Sequence, residues 1–180
     1  LDISTGYSDL NITYSAILKN LYGGGKYGYI YAPYNWWGLN TLPELSYVVN
    51  SNITYWAVCE FKYEGGEVPI NPQKAFITTL NKWSDGTNLH DFKSDESLPV
   101  RYARFESQSG NFIYPTLKLD KSNTNYLVGN TVDGKVYVVV DRQRLAIDVG
   151  NSLSNVTFYV SSKGHDAAGG GSYDNPFLTL

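Results

Sequence analysis

The sequence predicts a mainly β protein: a sandwich- or barrel-like antiparallel domain with one or two short helices. Short runs of aromatic and β-branched residues alternate with polar residues, and turn residues separate the runs at intervals of about ten residues. The chain also contains 16 tyrosines, a residue that is enriched in strands. Its 180 residues, 42% of them hydrophobic, suffice for one domain with its own core.

The surface is expected to be polar rather than charged. Charged residues make up 17% of the chain, against roughly 25% in an average globular protein, so Asn, Ser, Thr, Tyr and Gly must supply much of the surface. The net charge of −3 and the lack of a basic run argue against nucleic acid and against an anionic membrane surface as partners. No apolar stretch approaches the length of a membrane span. The chain has no Met, so we expect its numbering to begin inside a longer or processed protein.

Several segments have the composition of strands, and we find no convincing internal repeat. Asp133-Gly134 has the residue types of a two-residue hairpin turn and predicts a hairpin between 131–132 and 135–140. The run Val138-Val139-Val140 breaks the alternation, which favours a strand covered on both faces. The other predicted strands are 27–32, 45–49, 55–63, 100–105, 112–119, 126–128, 144–149 and 156–162.

Two segments predict helices. Residues 8–21 carry apolar side chains near helical spacing, and Gly23-Gly24-Gly25 follows as a stop. Asn71-Pro72 resembles a helix start, and Phe76, Leu80 and Trp83 would then share one face, although Ile77-Thr78-Thr79 between them favours a strand.

The densest aromatic cluster, 31–38, supplies the candidate ligand-binding residues Tyr34, Trp36 and Trp37. Their rings could stack on a saccharide, because tyrosine and tryptophan present a flat apolar face and a polar tip. The same cluster could instead pack in the core or against another subunit. We rank the core first, then the interface, then the saccharide.

No catalytic residue, metal site or cofactor is predicted within this chain. His90 lies in a polar loop near Asp85, Asp91 and Asp95 without the spacing of metal ligands. Cys59 has no adjacent base and is expected to be a buried, small apolar side chain. The carboxylates of the loops are expected to be solvated, and the chain is not expected to be an enzyme by itself.

The end of the chain carries a family resemblance. The predicted strand 156–162 precedes the loop Gly164-His165-Asp166-Ala167, the glycines 169–171 and the segment 175–180, Asn-Pro-Phe-Leu-Thr-Leu. This order resembles the lead-in to the right-handed parallel β-helix of pectate-lyase-like proteins, above all of bacteriophage tail spikes and tail fibres. The resemblance covers residues 155–180 only. It implies the start of a parallel β-helix, truncated here, over 155–180, whereas the mostly β domain expected over 1–154 follows from the strand pattern.

What the resemblance implies about function is a structural or adhesive segment of a phage tail spike or tail fibre. The expected setting is the virion, outside the cell. The expected partners are two further copies in a homotrimer and a bacterial surface polysaccharide or other virion proteins, with no nucleic acid and no membrane. No catalytic residue of the family can be carried over. Two alternatives stay open: the N-terminal module of a polysaccharide-depolymerising spike, and a secreted bacterial carbohydrate-binding module.

Overall fold

The computed structural model describes residues 9–18, 29–42, 51–65, 73–129 and 132–150. Within these residues every regular element is a β-strand, and the predicted mainly β, antiparallel sandwich- or barrel-like class is confirmed. The predicted β-helix entry, the boundary at residue 154 and the strands 45–49 and 156–162 lie outside the described residues.

The first three strands are parallel and two residues long: β1 (Leu10–Asn11), β2 (Ile30–Tyr31) and β3 (Ser51–Asn52). Leu10 pairs with Ile30, which in turn pairs with Ser51, so partners are 20 or 21 residues apart. Parallel bridges join Ala16 to Trp36 and Asn35 to Trp56 at the same offsets. The chain therefore passes the same place three times, as successive coils of a solenoid do. We call this part the coil stack.

A short repeat underlies the coil stack, so our expectation of no internal repeat was wrong. Asn11-Ile12-Thr13-Tyr14 recurs as Asn52-Ile53-Thr54-Tyr55, two coils later. The coil between them reads Tyr31-Ala32-Pro33-Tyr34, which shares only the tyrosine, and this hides the period. Ile30, Ala32, Trp37 and Ile53 are buried inside the stack, with Leu10, Ile12, Ile17 and Trp56 packed against them.

Asn35 links the first coil to the second through a fully buried side chain. Its amide oxygen accepts a hydrogen bond from the backbone N–H of Ser15 at 2.8 Å. Its amide nitrogen donates to the carbonyl oxygens of Ile12 at 2.7 Å and Ala32 at 3.0 Å. One side chain thus satisfies three backbone groups that the coil turns would otherwise leave without partners.

The rest of the described chain forms two antiparallel sheets. In the five-stranded sheet the order is β4-β5-β10-β8, with β6 also paired to β5; in the four-stranded sheet it is β12-β11-β7-β9. The strands are β4 (Trp56–Gly65), β5 (Gln73–Ser84), β6 (Leu89–Asp91), β7 (Arg101–Ser107), β8 (Asn111–Phe112), β9 (Thr116–Leu119), β10 (Ser122–Val128), β11 (Gly134–Val140) and β12 (Gln143–Val149).

The two sheets enclose one core, because alternate residues of each strand point between them. Phe61, Phe76 and Leu127 come from the five-stranded sheet, and Phe105 and Val138 from the four-stranded sheet. In β11 the side chains at 136, 138 and 140 are buried, whereas the one at 139 is only half-buried. That strand is therefore fully covered on one face, not on both.

Both predicted helices are wrong where the structure describes them. In the segment 8–21, Leu10 and Ile12 follow the two-residue period of a strand and pack inside the coil stack. The segment beginning at Asn71-Pro72 becomes β5 from Gln73 onward, with alternate residues buried from 74 to 80. β-branched residues at 77–79 and a place between two strands outweigh the helical spacing of the apolar residues.

The hairpin predicted at Asp133-Gly134 is also wrong. Gly134 opens β11, whose partners are β7 and β12, while the preceding strand β10 pairs with β5 and β8 in the other sheet. The hairpin turn lies instead at Asp141-Arg142 between β11 and β12, where Asp141 has a φ of 55°. Aspartate tolerates that left-handed conformation better than most residues do.

Replacing Asn35 with alanine should strongly destabilise the protein. The change leaves the N–H of Ser15 and two carbonyl oxygens without their partner, and each unpaired buried group costs about 1–3 kcal/mol. We expect urea unfolding to show a loss of at least about 3 kcal/mol. Asn88→Ala, at an exposed turn position, is the matched control and should stay within about 0.5 kcal/mol of the parent. Equal stability of the two variants would contradict the linking role of Asn35.

Candidate functional site

The structure places the three predicted ligand-binding residues in different surroundings. Trp36 is 0% exposed and Trp37 is 2% exposed, so neither indole presents a face on which a saccharide ring could stack. Trp36 belongs to the core between the sheets, and Trp37 to the interior of the coil stack. Tyr34 is half-buried, but Tyr14 and Tyr55 stack on its ring, so it too offers no free face to a saccharide.

Trp36 joins the coil stack to the four-stranded sheet through Asp141. Its indole Nε1 donates a hydrogen bond of 2.7 Å to Asp141 Oδ2. The same oxygen accepts from Arg101 Nε at 2.9 Å, and Arg101 Nη2 donates to Asp141 Oδ1. The carboxylate raises the pKa of Arg101, chiefly through these hydrogen bonds. Three segments that are distant in the sequence thus meet at one carboxylate.

The residues after Trp36 contact the four-stranded sheet at Arg142 and cover the edge of the five-stranded sheet at β4. Arg142 Nη2 donates to the carbonyl oxygen of Trp37 at 2.8 Å, and Gly38 adopts a φ of +78° beside the Arg142 side chain. The Asn40 side chain accepts from the N–H of Cys59 and donates to its carbonyl oxygen, both at 2.8 Å. This amide occupies the edge of β4 in the way that a neighbouring strand would, which protects the edge from pairing with another chain.

The half-buried tyrosines of the three coils form a column. Tyr14 stacks on Tyr34 with ring centroids 5.6 Å apart and planes 6° apart, and Tyr34 stacks on Tyr55 at 5.3 Å and 17°. We call these three residues the tyrosine column. Trp83 of β5 meets Tyr34 and Tyr55 edge-on, and Phe92 meets Tyr14 and Tyr34. Because each aromatic pair contributes about 0.5–1.5 kcal/mol beyond its buried area, the column fastens the coils to the five-stranded sheet.

His90 supports the far side of this contact. Its ring stacks on Trp83 at 4.2 Å and 20°, and its Nε2 lies 2.9 Å from Asp85 Oδ2. Asp85 Oδ1 also accepts from the N–H groups of Thr87 at 2.8 Å and Asn88 at 2.6 Å. These backbone hydrogen bonds first, and then His90, hold the pKa of Asp85 well below its usual range. The His90–Asp85 pair therefore orders the turn between β5 and β6.

The side chains with reactive potential have structural surroundings. Cys59 is 1% exposed, and burial raises the pKa of its thiol to about 12, so it stays protonated near neutral pH. Within the described ranges, no group of three or more His, Cys, Asp or Glu side chains is arranged to hold a metal ion. The same ranges contain no helix with the length and apolar character of a membrane span.

Comparisons with known proteins give no match: no family model, no curated protein and no solved structure is similar to this chain. The geometry of the described residues is therefore the basis for a functional proposal.

The residues that organise this region include several that the sequence interpretation missed, namely Tyr14, Tyr55, Trp83 and Asp141. Two of them had a signal, because the repeated Asn-Ile-Thr-Tyr places Tyr14 and Tyr55 at equivalent coil positions. Asp141 had none, since its partners Trp36 and Arg101 are 105 and 40 residues away along the chain.

Replacing each buried tryptophan with phenylalanine should distinguish the contributions of the two indoles to stability. Trp36→Phe loses a hydrogen bond to a carboxylate, which is worth about 1.5–3 kcal/mol. Trp37→Phe removes a buried N–H that has no partner in the described residues, so it relieves a desolvation cost. Both changes remove the same ring volume, and we expect urea unfolding to find Trp36→Phe less stable by at least about 1.5 kcal/mol. Equal stabilities would argue against the Asp141 contact.

Tyr14 should make the protein sensitive to alkaline pH. Burial, together with the hydrogen bond from its hydroxyl to Glu96 Oε1 at 2.9 Å, raises the pKa of Tyr14 to about 12. The unfolded residue ionises near 10, so its stabilising contribution is complete below pH 10 and is lost as the pH rises through 12.

The measurement compares the parent with Tyr14→Phe in urea at pH 8 and near pH 11.5. We expect the parent to be more stable by about 1 kcal/mol at pH 8, with the difference narrowing at the higher pH. The other tyrosines are common to both proteins, so the difference reports on Tyr14. A difference that is unchanged between the two pH values would contradict this assignment.

Proposed function

We propose that the chain is a structural and adhesive segment of a bacteriophage tail spike or tail fibre. The observation that carries this proposal is the coil stack, in which parallel strands follow one another every 20 or 21 residues and the last coil continues directly into β4. Stacked coils are building units of elongated proteins, because each coil buries its apolar face against its neighbours. The resemblance of residues 155–180 to a β-helix lead-in supports the same class.

The attachment of the coil stack to the sheets suits a part that bears mechanical load. The tyrosine column, the Trp36–Asp141 hydrogen bond and the Asn35 amide fix the coils to each other and to both sheets. These contacts are spread over separate strands, so a pull on one coil is shared among several of them. An adhesive protein at a particle surface requires this kind of rigid connection between its modules.

The surface chemistry supports assembly with further copies. Charged residues are few, and hydroxyl and amide groups can form hydrated interfaces without the cost of burying ions. Tyrosines, which are enriched in protein interfaces, are prominent on the described surface: Tyr29, Tyr31, Tyr63, Tyr102, Tyr114 and Tyr126 are all exposed. A homotrimer with a bacterial surface polysaccharide as its target fits these features.

Two measurements on the full-length protein test the proposal. Light scattering after size-exclusion chromatography should give the mass of a trimer, and a monomer at micromolar concentration would contradict the proposed assembly. Gold-labelled antibodies against the chain should bind the tails of phage particles purified from the source of the gene. Pre-immune serum is the control, and particles without label on the tail would contradict the virion assignment.

A further inference from the structure

The outer face of the four-stranded sheet combines cations with aromatic rings. The inner residues of its strands are buried or half-buried against the core, while the outer ones are half-buried or exposed. Strand pairing places Arg104, Val139 and Arg144 in one row, and Glu106, Tyr137 and Ala146 in the next. We call this surface the outer sheet face; it also carries Tyr102, Thr116, Lys118, Lys135 and Asp148.

Two arginines on the outer sheet face are held in place by one carboxylate. Arg104 Nη1 donates to Glu106 Oε1, and Arg144 Nη2 donates to Glu106 Oε2 at 2.9 Å. The Arg144 guanidinium also lies over the Tyr137 ring, 3.6 Å from its centroid, a cation–π contact that fixes its plane. The two arginine side chains remain 60% and 53% exposed. Their remaining N–H groups are therefore oriented before any ligand arrives, which lowers the entropic cost of binding.

Tyr102 provides an aromatic surface beside the arginines. It is 65% exposed, the highest value among the large hydrophobic side chains of the described residues. It precedes Arg104 by two residues on β7, so both side chains point to the same face about 7 Å apart. Lys118 is its partner on the neighbouring strand β9. A ring that binds by stacking thus lies within reach of fixed donors that bind an anion.

The charge of this face is opposite to that of the chain. The outer sheet face carries four cationic side chains and two carboxylates, namely Arg104, Lys118, Lys135 and Arg144 against Glu106 and Asp148. In the whole sequence, by contrast, acidic residues outnumber basic ones, 17 to 14. Lys135 and Asp148 pair with each other at 2.7 Å. The excess positive charge therefore lies around the two arginines and Lys118.

We propose that the outer sheet face binds an acidic polysaccharide, with a sugar ring on Tyr102 and sugar carboxylates on Arg104 and Arg144. The inference rests on the proposed adhesive function and specifies its ligand class. Guanidinium groups match the two oxygens of a carboxylate, and the guanidinium groups of Arg104 and Arg144 are held close together by their shared contact with Glu106. A polymer with carboxylates on successive sugars fits this arrangement. A densely charged nucleic acid is disfavoured, because Glu106 lies between the arginines and the chain is net negative.

The test uses the full-length protein and polygalacturonate as the acidic polymer, with carboxyl-reduced polygalacturonate and duplex DNA as comparisons. Calorimetry at low salt should detect binding to polygalacturonate that weakens as salt is added. The Arg104→Gln/Arg144→Gln variant should bind at least tenfold more weakly, and Tyr102→Ala several-fold more weakly. Because these side chains are exposed, the variants should keep the fold, which thermal unfolding can check.

A matched control removes two exposed cations from other surfaces. Lys62→Gln/Lys93→Gln changes the net charge by the same amount, and the Lys62 side chain is as exposed as that of Arg104, at 60%. This variant should bind polygalacturonate as the parent does.

Four outcomes would each overturn the inference: no binding of polygalacturonate by the parent, unchanged binding in the double arginine variant, equal binding of the carboxyl-reduced polymer, or tighter binding of DNA. If the protein is a trimer on phage tails but fails these binding tests, the proposed function stands and only the ligand class is wrong. If it is a monomer absent from tails but passes the binding tests, the ligand class stands and the proposed function is wrong.

Discussion

The position of the coil stack on the four-stranded sheet depends on one carboxylate, that of Asp141. Asp141 begins the β11–β12 turn and accepts hydrogen bonds from the Trp36 indole and the Arg101 guanidinium. Its side chain is largely buried, and a buried carboxylate is tolerated only when its charge is paired and its oxygens are hydrogen-bonded. Asp141 therefore requires both Trp36 and Arg101 as donors, and each of these two side chains requires Asp141 as its acceptor. This mutual requirement fixes where the coil stack meets the four-stranded sheet, and it explains why the densest aromatic cluster of the sequence lies in the interior.

The coil stack adds a second constraint in its first two coils. Tyr14 and Tyr34 occupy the same coil position, and both have a positive φ, 49° and 60°. A tyrosine in the left-handed region costs about 1–2 kcal/mol. The stacked rings and the contacts with Trp83 and Phe92 offset that cost. Tyr14 and Tyr34 are thus held in an unfavourable backbone conformation by the column to which they belong.

Local patterns in the sequence were enough to predict the fold class and most of the strands. Aromatic and β-branched composition was decisive for β7, β11 and β12, along which buried or half-buried residues alternate with more exposed ones. Periodicity failed at residues 8–21 and at β5, where the apolar residues fit both the helical and the strand spacing and only the neighbouring strands select one. The burial of Trp36 agrees with the first-ranked interpretation of its cluster. The position of Asp141 depends on contacts with Trp36 and Arg101, 105 and 40 residues away along the chain, which composition and spacing cannot encode. The repeat could have been found, because Asn-Ile-Thr-Tyr occurs at both 11–14 and 52–55.

The same constraints indicate where a ligand can bind. A residue that is fixed by the fold, as Trp36 is, has no surface left to offer, however suitable its ring would be. Binding requires side chains that are oriented by neighbours and still exposed, and Arg104 and Arg144 meet both conditions through Glu106 and Tyr137. A rigid sheet holds such groups at fixed spacings of about 5 Å between strands and about 7 Å along them. The outer sheet face can therefore recognise a regularly repeating polymer, because its own spacing is regular.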